Sequence, residues 1–273
     1  MKRSGRAVEW AALAMVVWAL FPVVWVVSLS LKQGDDLLSH SFWPSAWTLE
    51  NYRTVFRTPL FTRALYNSVG ISLVATALSV TLATLAAYAM ARLAVPGRKW
   101  VLATALAIAM FPVVSLVGPL FDIWRMVGLY DTWPGLVIPY MSFTLPLSLW
   151  VLTGFFREIP WELEQAAQMD GATRWQAFRK VIVPLAAPGV FTAAILTFFF
   201  AWNDFVFGIS LTSTDRARTV PAALAFFTGA SQFQQPAAAI AAAAVVVTLP
   251  VVALVLLFQR KIVAGLTSGA VKG

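Results

Sequence analysis

Few groups in this sequence could do chemistry, and the most pointed of them cluster at Trp202, Asn203, Asp204 and Phe205, within FFFAWNDFVFG. A carboxylate and an amide offer directional hydrogen bonds, and aromatic rings lie against apolar C–H faces. Together they suit a polyhydroxylated ligand. An acid beside an apolar run is costly and counts as a functional hypothesis by default. The same residues also suit a plainer role, since Trp is routine at a membrane interface and Asn or Asp at a helix end caps or solvates it. Asn67, Met110, Phe111 and Ser115 are weaker candidates for the same path, and packing is the plainer account of each.

Other chemistries lack their groups. The chain has no cysteine, which removes disulfides, thiol nucleophiles and thiolate metal sites. His40 is its single histidine, placed in an outer loop, so a transition-metal site has little support. No GxxxxGK phosphate cradle is present, and no Ser–His or paired-carboxylate arrangement suggests catalysis. The chain is expected to bind no cofactor and to hydrolyse no ATP itself.

The elements that must position these residues follow from composition. Of 273 residues 60% are apolar and 12% charged, and mean hydropathy is +0.77. A soluble domain carries about 25% charged residues. The expectation is therefore an all-α polytopic membrane protein forming a single domain over 1–273. Runs of the required length of about 20 residues place six spans near 10–31, 64–91, 100–121, 132–156, 185–207 and 237–258. Asp204 then lies roughly 24 Å beyond Pro188 at 1.5 Å per residue, in the outer half of the fifth span or at its mouth. The segment TVPAALAFFTGASQFQQP before the sixth span is broken by Pro and Gly and reads as a short helix and loop outside the membrane. The first run is long for a leader and lacks a small-x-small site after it, so it reads as a retained anchor.

The net charge of +8 is scattered over short loops rather than clustered, which argues against a nucleic-acid partner. Placement of Lys and Arg reports orientation instead. The loops around Lys2–Arg6, Arg92–Lys99, Arg157–Lys180 and Arg260–Lys272 are the more basic set, which places both termini in the cytoplasm. Every span but the second contains proline, among them Pro22, Pro112, Pro139 with Pro146, Pro188 with Pro184 just before its span, and Pro250; kinked helix packing is the plainer account of each.

One stretch breaks the apolar pattern: ELEQAAQMDGATRWQAFRKVIVPLAAPG, Glu162 to Gly189. Pro160 sits where a helix could begin, with Glu162 and Glu164 in its favourable first turn. Gly171 breaks that helix. A second, over Thr173–Ile182, carries Trp175, Phe178, Val181 and Ile182 on one face and Arg174, Arg179 and Lys180 on the other. Pro184 ends it or marks entry to the membrane. Composition alone would make this an interfacial amphipathic loop.

The stretch resembles the signature loop of inner-membrane permeases of binding-protein-dependent ABC importers: Glu-Ala-Ala, three residues, Gly, nine residues, Ile, one residue, Leu-Pro. Ala166, Ala167, Gly171 and Pro184 fall in place, and Val181 and Val183 stand for Ile and Leu. Gln165 occupies the glutamate position, with Glu164 directly before it. LENYRTVF (Leu49–Phe56), Asn67–Ser68, GLYDTWPGLVIPY (Gly128–Tyr140), AWNDFVF (Ala201–Phe207) and QRKIVAGLTSGAVKG (Gln259–Gly273) extend the likeness to the smaller, six-helix permeases of maltose-type carbohydrate importers. Within these the chain looks most like the permeases of actinobacterial trehalose importers.

The resemblance implies a type I ABC importer permease fold in the bacterial inner membrane. It implies three partners: a second permease subunit, a dimer of ATPase subunits holding ATP and Mg, and an extracytoplasmic sugar-binding protein that contacts the outer loops. In the family the loop docks into a cleft on the ATPase, which assigns that role here to Glu164, Gln165, Ala166, Ala167, Asp170, Gly171, Ala172, Arg174, Phe178 and Pro184. The implied function is ATP-driven import of a disaccharide such as trehalose by alternating access. Maltose, maltodextrin and glycerol 3-phosphate are alternative cargoes. A self-sufficient secondary transporter would need ionisable residues buried mid-span, and the mid-span stretches have none.

Overall fold

A computed structural model describes residues 3–37, 41–227 and 237–268, without the side chains of 3–7, 35 and 259–268. His40, part of the loop before the sixth span, and the end of the C-terminal motif lie outside the described residues. The regular elements among those described are helices: α1 (Arg3–Ser30), α2 (Glu50–Arg57), α3 (Pro59–Arg92), α4 (Arg98–Ala109), α5 (Val113–Val127), α6 (Trp133–Glu158), α7 (Trp161–Met169), α8 (Arg174–Ala177), α9 (Val183–Leu185), α10 (Ala187–Asn203), α11 (Val206–Ser210), α12 (Val220–Ala225) and α13 (Ala237–Ser268). Five are long and apolar enough to span a membrane, counting α10 with α11, and the bent pair α4–α5 raises this to six.

The run 100–121, read as a span kinked at Pro112, turns by 86° between α4 and α5. Pro112 stands there with φ −63° and ψ 113°. It has no N–H to donate, and it pushes Phe111 out of the helical region. Hydropathy is blind to such a break, because proline interrupts the ladder without adding charge.

The chain groups into two compact units, Met1–Arg63 with Ala223–Val252 and Ala64–Ala222 with Ala253–Gly273. In the first, LENYRTVF folds as α2 and closes the end of α1. Asn51 Nδ2 donates to Ser30 O at 2.9 Å and to Lys32 O at 2.7 Å, while Tyr52 Oη and Ser30 Oγ lie 2.7 Å apart. Carbonyls orphaned at a helix end thereby find donors. The short helix read before the sixth span is present as α12.

In the second unit α6 packs against α4 and α10. Two buried clusters follow one another along α3 and α6. One holds Ile71, Ala75, Tyr140, Phe143 and Phe207. The other holds Ala83, Ala87, Leu152, Phe156, Phe178 and Ile182. Buried hydroxyl pairs join the helices, Ser79 with Thr144 at 2.8 Å and Ser148 with Thr197 at 2.9 Å. Such pairs replace the hydrophobic drive that is missing between helices in lipid. Helix α10 approaches α6 so closely that a Cβ on Gly189 would stand 2.4 Å from the Phe155 ring.

Helix α3 is the longest element among the described residues. Its 34 residues span about 51 Å at 1.5 Å per residue, against a hydrocarbon core of about 30 Å. It carries no interior proline, unlike α1, α6 and α13.

Candidate functional site

The polar stretch folds as two short helices around a glycine turn. Pro160, with φ −54° and ψ 136°, opens α7 at a position that needs no donor, and Glu162 and Glu164 fill its first turn. At the other end Gly171 N–H bonds Gln168 O and Ala172 N–H bonds Ala167 O, both at 3.0 Å. This is the Schellman pattern, which requires a left-handed residue at its centre, and Gly171 has φ +89°. Thr173 then caps α8. Its hydroxyl accepts from Gln176 N–H while the Gln176 side chain accepts from Thr173 N–H, a reciprocal capping box.

The expected helix over Thr173–Ile182 is α-helical only to Ala177. A π-turn covers Phe178–Ile182, where Val183 N–H reaches Phe178 O, five residues back. Pro184 follows directly and cannot donate to the carbonyl four residues before it, so the widened turn accommodates the missing bond. Phe178 and Ile182 are buried and Val181 is half-buried, as the amphipathic pattern requires. Trp175 departs from that face: its ring lies 5.2 Å from Phe178, yet it stays 59% exposed.

Burial separates the sequence-derived coupling set. Gln165, Ala166, Asp170, Gly171, Arg174 and Pro184 are exposed, Ala167 and Ala172 half-buried, and Phe178 buried. Glu164 is 3% exposed. It turns away from that outer face, and its Oε1 accepts a hydrogen bond of 2.5 Å from Tyr88 Oη on α3. The charged position adjoining the motif therefore faces inward, and the uncharged Gln165 stands in the open.

The second candidate set surrounds the gap between α10 and α11. Asp204 is extended (φ −65°, ψ 125°) and interrupts the helix. Its Oδ2 accepts from Tyr140 Oη and from Gly208 N–H, each at 2.9 Å, and its Oδ1 from Phe207 N–H at 3.4 Å. Trp202 is buried and stacks on Phe198 at 5.5 Å. Asn203 is exposed and donates to Phe199 O at 2.9 Å. Phe205 is exposed, as is Met110, which sits at the α4–α5 break.

Asn67 answers to other partners. It is buried, donates to Asp215 O and Arg218 O at 2.9 and 3.0 Å, and accepts from Trp133 Nε1 at 3.0 Å. Ser68 Oγ accepts from Val220 N–H at 2.7 Å. Both fasten the 211–220 loop to α3. Asp131, with φ +57°, grips the same loop through Ser213 N–H, Thr214 N–H and Thr214 Oγ1 at 3.1, 3.2 and 2.5 Å. Asp131 is itself only 7% exposed, but its donors lie on the exposed Ser213 and Thr214, so Asp131→Ala loses three hydrogen bonds of about 0.5–1.5 kcal/mol each, part of which water restores. A lowered thermal midpoint of the detergent-solubilised assembly is the expected readout.

Sequence reasoning missed Tyr88, Arg92, Asp131 and Tyr140. The one usable signal was the spacing of Tyr88 and Arg92, four apart on the same face of the single proline-free span.

Residues 79–267 match a family described as the inner membrane component of binding-protein-dependent transport systems. The chain is 57% identical over 270 residues to the trehalose transport system permease protein SugB of Mycobacterium tuberculosis, covering 98% of both proteins. It is 41% identical over 273 residues to the sulfoquinovosyl glycerol transport system permease protein SmoH of Agrobacterium fabrum, covering 99% of this chain and 95% of that one. Its fold is similar, with a TM-score of 0.80, to that of a bacterial ABC transporter involved in the import of the acidic polysaccharide alginate. That likeness has 22% identity and covers 94% of this chain and 96% of the other.

Proposed function

This chain belongs to the inner-membrane components of binding-protein-dependent transport systems, and from that premise we propose that it carries a disaccharide such as trehalose into the cytoplasm. As a permease subunit of the sugar ABC importers it is a membrane transport protein and not an enzyme. The cargo rests on one observation, the 57% identity to a trehalose permease along almost the whole chain. A relative at 41% is already named for a different glycoside, so the level of identity matters.

ATP is hydrolysed with Mg on a separate pair of ATPase subunits, and the chain works beside a second permease subunit. A sugar-binding protein delivers cargo at the outer loops. The segment 157–184 lies in the cytoplasm, as the Lys and Arg distribution indicates, and docks on one ATPase subunit through the exposed side of α7 and α8. Met169, Trp175, Trp161 and Leu163 are 88, 59, 43 and 41% exposed there. Apolar surface in a solvated loop fits a protein partner. Closure of the ATPase pair moves this segment and, with it, the helices as rigid bodies.

The test is uptake by the reconstituted assembly with its binding protein. Trehalose is expected to be accumulated and to compete with labelled trehalose better than maltose or glycerol 3-phosphate does. Accumulation of either of the others without trehalose sinks the cargo reading. The purified chain alone is expected to show no sugar-stimulated ATP hydrolysis.

A further inference from the structure

The polar stretch is bound to one helix in particular. At the end of α3, Tyr88 and Arg92 are four residues apart and share a face. Tyr88 Oη donates to Glu164 in α7, and its ring lies 4.6 Å from Phe178 at the π-turn and 6.4 Å from Phe156. The Arg92 guanidinium donates to Ile159 O and sits 5.1 Å over the Trp161 ring. Two consecutive turns of α3 thus hold the entry to α7, its first turn, and the start of the segment after α8.

This joint is a poor stability element. Glu164 Oε2 and Arg92 Nε are both buried with no hydrogen-bond partner among the described residues. A buried acid with one of its oxygens unpaired costs more than an apolar pair of similar volume. A directional bond is what such an arrangement supplies: it sets the position of α7 against α3 to within a hydrogen bond's tolerance.

The other end of α3 is fastened in the same manner, by Asn67 and Ser68 to the 211–220 loop. From Asn67 to Tyr88 the helix runs about 32 Å at 1.5 Å per residue, with no proline inside it. A rod of that kind transmits displacement, whereas a proline-kinked helix absorbs part of it.

We propose that α3 is the lever of this subunit, with the Tyr88–Glu164 hydrogen bond as the joint that passes movement of the docked segment to the far loop. Tyr88 and Glu164 are positioning residues. Glu164 is 3% exposed and bonded to Tyr88, so in this reading the pair acts by position and not by touching the ATPase or the cargo. The proposal rests on the docking reading above.

The experiment uses the full assembly in proteoliposomes and measures three quantities: co-purification of the ATPase subunit, ATP hydrolysis, and sugar moved per ATP. Tyr88→Phe and Glu164→Ala are expected to keep the ATPase bound and hydrolysing while sugar per ATP falls about tenfold, the scale of one charge-assisted hydrogen bond. Glu164→Gln, which keeps an acceptor for the Tyr88 hydroxyl, is expected to restore the ratio. The double variant should be no worse than either single one, because both remove the same bond. The cysteine-free chain allows a second readout. A fluorophore at Tyr66→Cys, an exposed site beside Asn67, should report an ATP-dependent change that Tyr88→Phe abolishes. Tyr88→Phe is the mild variant, losing a single oxygen, and it decides the case if Glu164→Ala folds poorly. An unchanged ratio in Tyr88→Phe overturns the lever. Loss of the ATPase in Glu164→Gln or Glu164→Ala also overturns it, since Glu164 would then belong to the docking face. Failure of docking itself reads differently: bulk at Gly171 would leave assembly and uptake intact.

Discussion

Gly171→Trp is expected to leave a folded, membrane-inserted chain that no longer co-purifies with the ATPase subunit and imports no sugar. Two effects must be separated. Gly171 has φ +89°, a conformation that costs an L-residue about 1–2 kcal/mol, so any side chain there weakens the turn between α7 and α8. A Cβ at this position meets nothing within 4 Å in the chain itself. Bulk added there therefore projects away from the fold, toward whatever covers the exposed side of α7. Gly171→Ala carries the backbone strain alone, and Gly171→Asn carries less of it, since Asn tolerates the left-handed region. Both should assemble, with uptake reduced by about tenfold at most, the equivalent of 1.4 kcal/mol. Normal assembly and uptake in Gly171→Trp would sink the docking assignment. Equal loss in Gly171→Ala and Gly171→Trp would show that the turn, not the surface, is what matters.

Asp204→Ala is expected to be nearly as damaging, for a different reason. Its carboxylate joins α6 to the start of α11 and accepts three hydrogen bonds. Removing it leaves the hydroxyl of Tyr140, a residue with no exposed surface, and the Gly208 N–H without acceptors. Each unpaired buried group costs about 1–3 kcal/mol. The amount of folded chain recovered from membranes should fall sharply. Asp204→Asn separates scaffold from cargo contact. Its amide oxygen, set where Oδ2 stands, can accept from both Tyr140 Oη and Gly208 N–H, and only the 3.4 Å bond from Phe207 N–H is lost. Folding should recover in that variant, and the sugar concentration giving half-maximal uptake should stay unchanged. A folded Asp204→Asn assembly with a raised half-saturating concentration would make Asp204 a cargo contact after all.

The two expectations draw on residues whose legibility in the sequence was unequal. Gly171 could be placed from spacing alone, because a turn between two short helices depends on local backbone geometry. Its Schellman hydrogen bonds come from residues within five positions of one another. Thr173 with Gln176 is local in the same sense. Asp204 was visible as an acid next to an apolar run, but Tyr140, the residue it binds, lies 64 positions away. By its type Asn67 reads as a weak path candidate, with packing the plainer account. The structure spends its NH₂ on a loop some 150 positions further along and its oxygen on the Trp133 indole, 66 positions away. A kink near Pro112 was legible from the residue type, but its size of 86° was not, because composition carries no record of how far a chain turns where its backbone ladder stops.

What the sequence determined by itself was what depends on composition and short spacing. Those are the helical membrane class, the apolar runs, the glycine-centred turn and the family. Each is decided by the free energy of moving residues out of water or by hydrogen bonds within a few residues, and both quantities are additive along the chain. The tertiary structure alone decided which way polar side chains face and what they hold. It turned Glu164 inward to Tyr88, left Gln165 in the open, and gave α3 fastenings at both ends. Those outcomes depend on pairs separated by 67 to 152 positions. A donor and an acceptor so far apart in the chain are matched only when packing brings their helices together.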